Sequence, residues 1–207
     1  MATTPAQNDI ARLAYKLNWT TAVQYRKYIS TSASFEENLL TLLRTADDER
    51  ERMLVKRRLK AAAFPVQKTL DTFRFDPVSL PNLKQDQILE LATCDFIKER
   101  TNVVAIGNCG TGKTHLMTAI GLEAVRKGYS VKFRRVNDLL TQLSEARSDR
   151  HLNAMLNALL KCQLLILDEL GYVSLSQEDS KLLFQVLAGR YEVRSTIITS
   201  NHEFSKW

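Results

Sequence analysis

Residues 107–114 are the stretch of this chain whose residue types and spacing could do chemistry. They read Gly-Asn-Cys-Gly-Thr-Gly-Lys-Thr and fit the pattern G-x-x-x-x-G-K-[ST]. Glycines let the backbone curl so that successive N–H groups point at a chain of phosphates. Lys113 can then reach the β- and γ-phosphates, and the Thr114 hydroxyl can take a position on Mg²⁺. The predicted contacts with a nucleoside triphosphate are Gly107, Asn108, Cys109, Gly110, Thr111, Gly112, Lys113 and Thr114.

The sequence on either side of this loop has the pattern that the chemistry requires. Residues 102–106 form a short apolar, β-branched run, which is typical of a buried strand. Leu116, Ile120 and Val125 then recur at helical spacing, and Gly128 is a typical helix stop. A strand, a glycine loop and a helix in this order place the phosphates at the N-terminus of the helix. The flanks favour a phosphate-binding loop over a glycine-rich turn that merely resembles one.

A second constellation follows at Asp168 and Glu169, which end the apolar run of residues 164–167. Many buried strands end in acids, so the pair acquires meaning only from the loop upstream. In a nucleotide hydrolase, Asp168 would hold Mg²⁺ beside Thr114. Glu169 would act as general base or orient the attacking water. Together with Lys113, these residues predict an ATPase-type catalytic site.

Asn201 follows the last apolar run of the chain, residues 196–199. An asparagine at the end of a strand is often only a turn residue. Here it could instead form a hydrogen bond with the γ-phosphate or the attacking water. Asn201 joins Lys113 and Glu169 as a candidate catalytic residue chiefly because of the family resemblance given below.

The elements that must position these residues alternate between strands and helices. Strands are predicted at 102–106, 130–134, 164–167 and 196–199, with helices at 138–146, 150–161 and 177–193 among them. Such alternation predicts a parallel α/β sheet flanked by helices. Ligands of such sheets bind at the carboxyl ends of the strands, which is where the candidate residues fall.

The first part of the chain, residues 8–63, has the pattern of three helices. The third begins at a capping box, Ser34 with Glu37, and runs to about residue 63. Its second half is rich in basic residues, namely Arg50, Arg52, Lys56, Arg57, Arg58 and Lys60. They could form a solvated face paired with acids four residues away, or a surface that tracks phosphates. The pattern alone does not decide between the two.

These patterns divide the chain into a small all-α N-terminal domain at 1–66, a linker at 67–81 and an α/β core at 82–207. Prolines mark the linker, and its aromatic residues Phe73 and Phe75 are expected to be anchored on the core. The net charge of +6 favours polyanionic partners without requiring one. No apolar run approaches the length of a membrane span, and the three cysteines are widely spaced. We expect a cytoplasmic protein with no membrane association.

Three runs of the sequence together resemble the IstB group of AAA+ ATPases. They are residues 110–116, residues 167–172 and residues 195–201. Residues 68–73 also resemble the family's linker, so the likeness covers nearly the whole chain. The resemblance implies an AAA+ P-loop core that uses ATP and Mg²⁺, with His115 included in the nucleotide-binding run. It also implies assembly into ring or helical oligomers, ATP-dependent binding of duplex DNA, and contact with the transposase of an insertion sequence.

The resemblance bears on DNA contact as well. It shifts the basic helix towards DNA or partner binding, and it implies that the helix at 138–146 faces nucleic acid. Arg134, Arg135 and Arg147 flank that helix and are therefore candidate phosphate contacts.

Two departures from the family pattern affect these expectations. Asn108 and Cys109 stand where many relatives have prolines; Cys109 could be a reactive thiol or inert filler of the loop. The chain also stops at Trp207, before the region where the resemblance implies a trans-acting arginine and a sensor arginine. Arg190 and Arg194 lie near the predicted edge of the site, and neither is assigned that role. We therefore expect a fragment that binds ATP and hydrolyses it poorly.

Two alternatives stay open. The DnaC helicase loaders are close relatives of the IstB group and share the fold, with a protein ring and single-stranded DNA as clients. The chain could also be an adaptor that binds DNA and holds nucleotide without hydrolysing it.

Overall fold

The structure is a computed structural model that describes residues 4–78, 80–148, 150–171 and 175–203. Residue 172 of the family-like run and Trp207 lie outside these ranges. The chain forms two compact units, one up to Arg57 and one from Arg58 onward. The division into domains at 1–66 and 82–207, with a linker between them, stays a prediction.

The first unit is helical. Its elements are α1 (Pro5–Lys16), α2 (Thr20–Val23), a 3₁₀ turn (Tyr25–Lys27) and the greater part of α3 (Phe35–Ala62). The capping box of α3 is confirmed, because Ser34 and Glu37 exchange hydrogen bonds of 2.8 and 3.2 Å between side chain and backbone. The second predicted helix is only α2 and the 3₁₀ turn. The hydroxyl of Thr21 donates to Glu49, which connects α2 to α3.

The second unit contains the strands and the remaining helices. In chain order they are a 3₁₀ turn (Leu70–Thr72), α4 (Gln85–Ala92), α5 (Asp95–Lys98), β1 (Val103–Ile106), α6 (Lys113–Arg126), β2 (Val131–Arg135), α7 (Val136–Ser148), α8 (Leu152–Lys161), β3 (Leu164–Leu170), α9 (Gln177–Arg190) and β4 (Ser195–Ser200). The sequence pattern predicts one helix across α4 and α5. Cys94 separates them, because its backbone is left-handed, with φ 64°.

The four strands form one sheet in the order β1-β4-β3-β2, and all three pairings are parallel. The predicted parallel α/β sheet is therefore confirmed. Because the strands are parallel, β1, β2, β3 and β4 all end at the same edge. We call this the carboxyl edge, and the opposite one the amino edge.

Helices cover both faces of this sheet. Leu165 and Leu167 of β3 belong to a buried cluster with α7, α8 and α9, whereas Ile166 packs against Gly121 of α6. Successive residues of a strand point to opposite faces, so β3 is buried on both sides, as its continuous apolar sequence predicts. The sheet is thus a rigid central layer that fixes what lies at its two edges.

At the carboxyl edge, β3 contains a β-bulge that the sequence pattern does not predict. Its register with β4 shifts between Leu167 and Leu170. Glu169 has a left-handed backbone, with φ 63°, a conformation that is rare and strained for a residue with a Cβ. Bulges of this kind re-aim side chains. Asp168 is consequently buried, while Glu169 is half-buried.

The amino edge is fastened by Arg190, the last residue of α9. Its guanidinium is buried and donates to five different residues: to the carbonyls of Leu159, Cys162, Gln163 and Ser195, and to the hydroxyl of Thr196. These groups lie at the end of α8 and at the beginnings of β3 and β4. The expectation that Arg190 lies near the site is therefore wrong, because the helix carries it to the opposite edge of the sheet.

Candidate functional site

The glycine loop of residues 107–112 connects β1 to α6 at the carboxyl edge. Gly110 and Gly112 have φ values of 80° and 84°, a region that favours glycine. The N–H group of Gly107 donates to the carbonyl of Ser200 at 3.2 Å, which ties the start of the loop to β4. Within the described ranges, the N–H groups of residues 108–115 donate to no protein acceptor. A row of open donors thus precedes and caps α6, as anion binding requires.

Lys113 lies in the curve of this loop. Its ammonium donates to the carbonyls of Gly107 at 2.6 Å and Asn108 at 2.8 Å. Burial lowers the pKa of Lys113, and the charges of Cys109, Asp168 and Glu169 oppose that shift. The side chain is therefore a half-buried cation held by dipoles that an anion can replace.

Three hydroxyl and carboxyl groups meet beside the lysine. The Asp168 carboxylate is 1% exposed. It accepts the Thr114 hydroxyl at 3.0 and 3.1 Å and the Thr199 hydroxyl at 2.5 Å. Among the described residues, Asp168 forms no ion pair with a lysine or arginine. A buried carboxylate in this state favours an incoming cation.

Thr199 is the residue of this group that sequence reasoning missed. Its hydroxyl donates to Asp168 and accepts the N–H group of Glu169 at 3.0 Å. It therefore holds both acids at the bulge. The available signal in the sequence was a threonine inside the apolar run of residues 196–199, since a hydroxyl that is buried with such a strand needs partners.

Glu169 lies next to Asp168 in sequence but in a different environment. Its carboxylate is half-buried and lies 3.9 Å from the Nε atom of Arg135, at the end of β2. Asn201 comes directly after β4 and is also half-buried. Since Ser200 pairs with Ile106 and binds Gly107, Asn201 lies beside the start of the loop. The sheet thus brings the three predicted catalytic residues, Lys113, Glu169 and Asn201, to one edge.

The ring of His115 contacts residues 69–73, which precede the sheet in the chain. The Nε2 atom lies 2.9 Å from the carbonyl oxygen of Thr69 and 3.2 Å from the hydroxyl of Thr72. Phe73 packs edge-on against the imidazole, with ring centroids 5.2 Å apart. Phe75 packs in turn on Phe73 at 4.9 Å. The expected anchoring on the core is confirmed for Phe73, whereas that of Phe75, which packs on Phe73, and nucleotide contact by His115 stay predictions.

The candidate DNA contacts are spread over the surface. Arg50, Arg52, Lys56, Arg57 and Lys60 are exposed on α3, and Arg58 is half-buried. None of them pairs with an acid of α3 among the described residues, so the i,i+4 pairs of the first alternative, a solvated face, are not seen. Arg147 forms an exposed pair with Glu178 at 3.4 Å, and Arg134 donates to the carbonyl of Phe133 at 2.6 Å.

The donor set fits a magnesium nucleotide. Mg²⁺ in proteins is held by one or two oxygen ligands together with substrate phosphates and water, and Thr114 and Asp168 supply such ligands. The open N–H groups, the N-terminus of α6 and Lys113 supply what phosphates require. The arrangement can hold a polyphosphate and a divalent cation side by side.

Comparison with known families identifies the family of the chain. The profile of the IstB-like ATP-binding protein family matches residues 11–207. The chain belongs to this family. It is 39% identical over 179 residues to the ATP-binding protein of insertion sequence IS232 from Bacillus thuringiensis subsp. berliner. It is 37% identical over 182 residues to the IS5376 counterpart from Geobacillus stearothermophilus. These matches cover 86% and 87% of the chain, and 71% and 72% of the two relatives.

Solved structures confirm the AAA+ fold. The DnaC helicase loader superposes with a TM-score of 0.56 at 28% identity, over 72% of this chain and 81% of that one. AMPPCP-bound DnaA from Aquifex aeolicus gives 0.59 at 23% identity, over 68% of this chain and 43% of that one. Among the described residues, no helix is both long and apolar enough to cross a bilayer. The chain is an ATP-binding protein of the insertion-sequence type on a DnaC-like fold.

Proposed function

We propose that this protein binds and hydrolyses ATP with Mg²⁺, and that ATP drives its assembly on duplex DNA to assist the transposase of an insertion sequence. The observation that carries the ATP part of the proposal is the buried Asp168 carboxylate, which accepts two hydroxyls beside an open phosphate-binding loop and pairs with no cation among the described residues. The insertion-sequence relatives supply the biological setting. A cytoplasmic location is part of the proposal and rests on the spacing of the cysteines.

In this proposal, the loop residues 107–114 bind the phosphates through backbone N–H groups, and Lys113 exchanges the carbonyls of Gly107 and Asn108 for β- and γ-phosphate oxygens. Thr114 and Asp168 would hold Mg²⁺, whose charge offsets that of the phosphates and of the leaving group. Thr199 keeps the Asp168 carboxylate oriented towards Thr114. The buried network thereby fixes where the terminal phosphate lies before reaction.

Hydrolysis requires water to attack the γ-phosphorus while the bond to the β–γ bridging oxygen breaks. Glu169 accepts a proton from that water or orients it, and Asn201 forms a hydrogen bond with the γ-phosphate or the water. Because the Glu169 carboxylate lies towards Arg135, its rotation away from the arginine is part of the proposed step.

DNA contact is assigned to the exposed basic half of α3. Its arginines and lysines, which form no ion pair within the part of the chain that the structure describes, match the requirement for phosphate tracking. Arg134, Arg135 and Arg147 are weaker candidates, because each is engaged with another group of the chain.

The catalytic part is tested by Glu169→Gln and Lys113→Ala in the full chain. Glu169→Gln should keep ATP affinity and lower turnover by about 10²–10⁴-fold. Lys113→Ala should abolish ATP binding, measured by calorimetry. Turnover that survives Glu169→Gln would exclude the assigned role. Failure of any full-length form to hydrolyse ATP, despite tight ATP binding, would favour the non-hydrolysing adaptor.

The DNA part is tested with a labelled duplex and its single strand, each with ATP·Mg²⁺ or ADP at two salt concentrations, because phosphate contacts are salt-dependent. Light scattering on the same samples reports the oligomer. ATP-dependent duplex binding by a multimer supports the proposal. Binding that ignores the nucleotide would contradict it.

A helicase loader is the second candidate function. The observation that favours it is the likeness to the DnaC helicase loader, which spans 81% of that chain. A clear preference for single-stranded DNA in the same experiment would select it.

A further inference from the structure

Residues 69–75 form a short segment that we call the strap. It contacts the phosphate-binding loop and the first turn of α6 at two points. At one, Nε2 of His115 lies 2.9 Å from the Thr69 carbonyl and 3.2 Å from the Thr72 hydroxyl. At the other, the ring of Phe73 covers Gly112. The strap therefore engages both ends of residues 112–115.

The contact at Gly112 is close enough to depend on the absence of a side chain. A Cβ built on Gly112 would lie 2.6 Å from Cε2 of Phe73 and 3.2 Å from Cζ. Gly112 thus meets two requirements at once, since it also has φ 84°. Gly112 allows the left-handed backbone that the loop requires, and its lack of a side chain leaves room for Phe73 of the strap.

The chemistry of the His115 contact is definite. A carbonyl oxygen only accepts, so Nε2 of His115 must carry a hydrogen and donate it to Thr69. The Thr72 hydroxyl donates to the same carbonyl at 2.9 Å, which closes the turn that the imidazole binds.

The strap contacts the residues that carry the phosphate-binding donors. Among the described residues, the N–H groups of 112–115 have no protein acceptor, and their direction depends on the backbone between Gly112 and His115. A flexible loop binds with an affinity reduced by the fraction of time it spends in the competent conformation. Contacts that fix this backbone therefore raise affinity without touching the ligand.

We propose that the strap is a clamp that holds the loop in its phosphate-binding conformation, with His115 and Phe73 as positioning residues. The clamp rests on the proposed function, because it concerns ATP bound at this loop. Linkage makes the effect reciprocal: ATP bound in the loop stabilises the strap, and a docked strap tightens ATP. In the clamp, His115 acts through Thr69, and direct contact of His115 with the nucleotide is the alternative that the second experiment tests.

The first experiment measures the affinity of the full chain for Mg·ATP by calorimetry. His115→Ala should raise Kd about five- to tenfold, at the lower end of coupling between sites. His115→Gln should restore most of the affinity, because the glutamine amide can donate to Thr69. His151→Ala is the matched control, since His151 lies at the N-terminus of α8, outside the strap, and should bind as wild type does.

The second experiment separates a clamp from direct contact. If both residues act through the strap, the effects of His115→Ala and Phe73→Leu on Kd should combine to much less than their product. Hydrogen exchange of residues 70–75 should slow on addition of ATP in the wild-type chain, and this slowing should be lost in His115→Ala. Thermal melts without nucleotide verify that each variant is folded.

Three outcomes would overturn the clamp: wild-type affinity in His115→Ala, effects of the two substitutions that multiply fully, or strap exchange that ignores ATP. In each of these cases the wild-type chain still binds ATP and the proposed function stands. Failure of the wild-type chain to bind ATP is a different result, which removes the proposed function and the clamp with it.

Discussion

Among the described residues, one charged side chain is buried at each of the two edges of the sheet. The two side chains differ in how far their hydrogen bonds are satisfied. Arg190 at the amino edge and Asp168 at the carboxyl edge are each 1% exposed. The guanidinium of Arg190 donates to four carbonyls and a hydroxyl, so its donors are satisfied. The carboxylate of Asp168 accepts two hydroxyls and keeps acceptor capacity.

This difference in hydrogen bonding distinguishes a structural residue, Arg190, from a candidate ligand-binding residue, Asp168. A buried charge whose hydrogen bonds are complete stabilises the fold and has no further partner to take up. A buried charge whose coordination is incomplete favours a ligand of opposite sign. Burial alone would have placed both residues in the same class.

The largest expected contrast between the edges is in thiol labelling, because each edge has a cysteine. Cys109 is exposed in the loop, and Cys162 is buried against Arg190. Burial raises the pKa of Cys162, an effect that Arg190 opposes, so less of the reactive thiolate exists at pH 8. Alkylation followed by peptide mass spectrometry should modify Cys109 about 10³-fold faster or more.

ATP·Mg²⁺ should slow the labelling of Cys109 and leave that of Cys162 unchanged. Comparable rates for the two thiols in the native protein would contradict the distinction between the edges.

The next largest effect is on stability, at the amino edge. Arg190→Leu leaves the carbonyls of Leu159, Cys162 and Ser195 without their buried donor, and should lower the free energy of unfolding by about 3–4 kcal/mol. Urea denaturation measures this loss. Arg194→Leu is the control, because Arg194 makes no side-chain hydrogen bond among the described residues, and should cost less than about 1 kcal/mol. Similar urea midpoints for the two variants would show that the buried hydrogen bonds of Arg190 do not stabilise the amino edge.

Asp168→Asn should have the opposite profile. The amide keeps the shape and accepts a hydroxyl through its oxygen, so stability should change by about 1 kcal/mol or less. Loss of the negative charge should lower ATP turnover by about 10²-fold, which corresponds to about 2.7 kcal/mol in the barrier. Urea denaturation and a phosphate-release assay measure the two quantities on the same preparation. A large loss of stability with normal turnover would make the carboxyl edge structural as well.

The smallest effect is expected for Arg135→Ala. The pair with Glu169 is 3.9 Å long and about half exposed on both sides, so it contributes at most about 1 kcal/mol. Removal should change basal turnover by no more than about fivefold, and the change should shrink at high salt. Stopped-flow phosphate release at two ionic strengths tests this. A change of a hundredfold would give Arg135 a direct part in catalysis.

Local signals explain what the sequence predicted. The loop motif, the apolar run ending at Asp168 and the capping box at Ser34 each lie within a few consecutive residues, and the structure contains all three features. The parallel sheet followed from alternating patterns of the same kind. Such signals depend only on residues that are close together along the chain, so they can be recognised without knowledge of the fold.

What the sequence missed depends on residues that are distant along the chain. The bulge at Glu169 and the role of Thr199 arise from the pairing of β3 with β4, some thirty residues apart. The ring of His115 faces Thr69, which only folding brings near. The helix is interrupted at Cys94, which has a left-handed backbone although it carries a side chain. The sequence contains no glycine there that would predict such a conformation.

The strand order has a consequence for how the chain folds during synthesis. Of the four strands that the structure describes, β4 is made last, yet it lies between β1 and β3. Among these strands, β1 therefore has no pairing partner until residues 195–200 have left the ribosome, about ninety residues after its own emergence. Until then the start of the phosphate-binding loop lacks its hydrogen bond to Ser200. Nucleotide affinity would thus appear late and abruptly along the nascent chain, once β1 and β4 have paired.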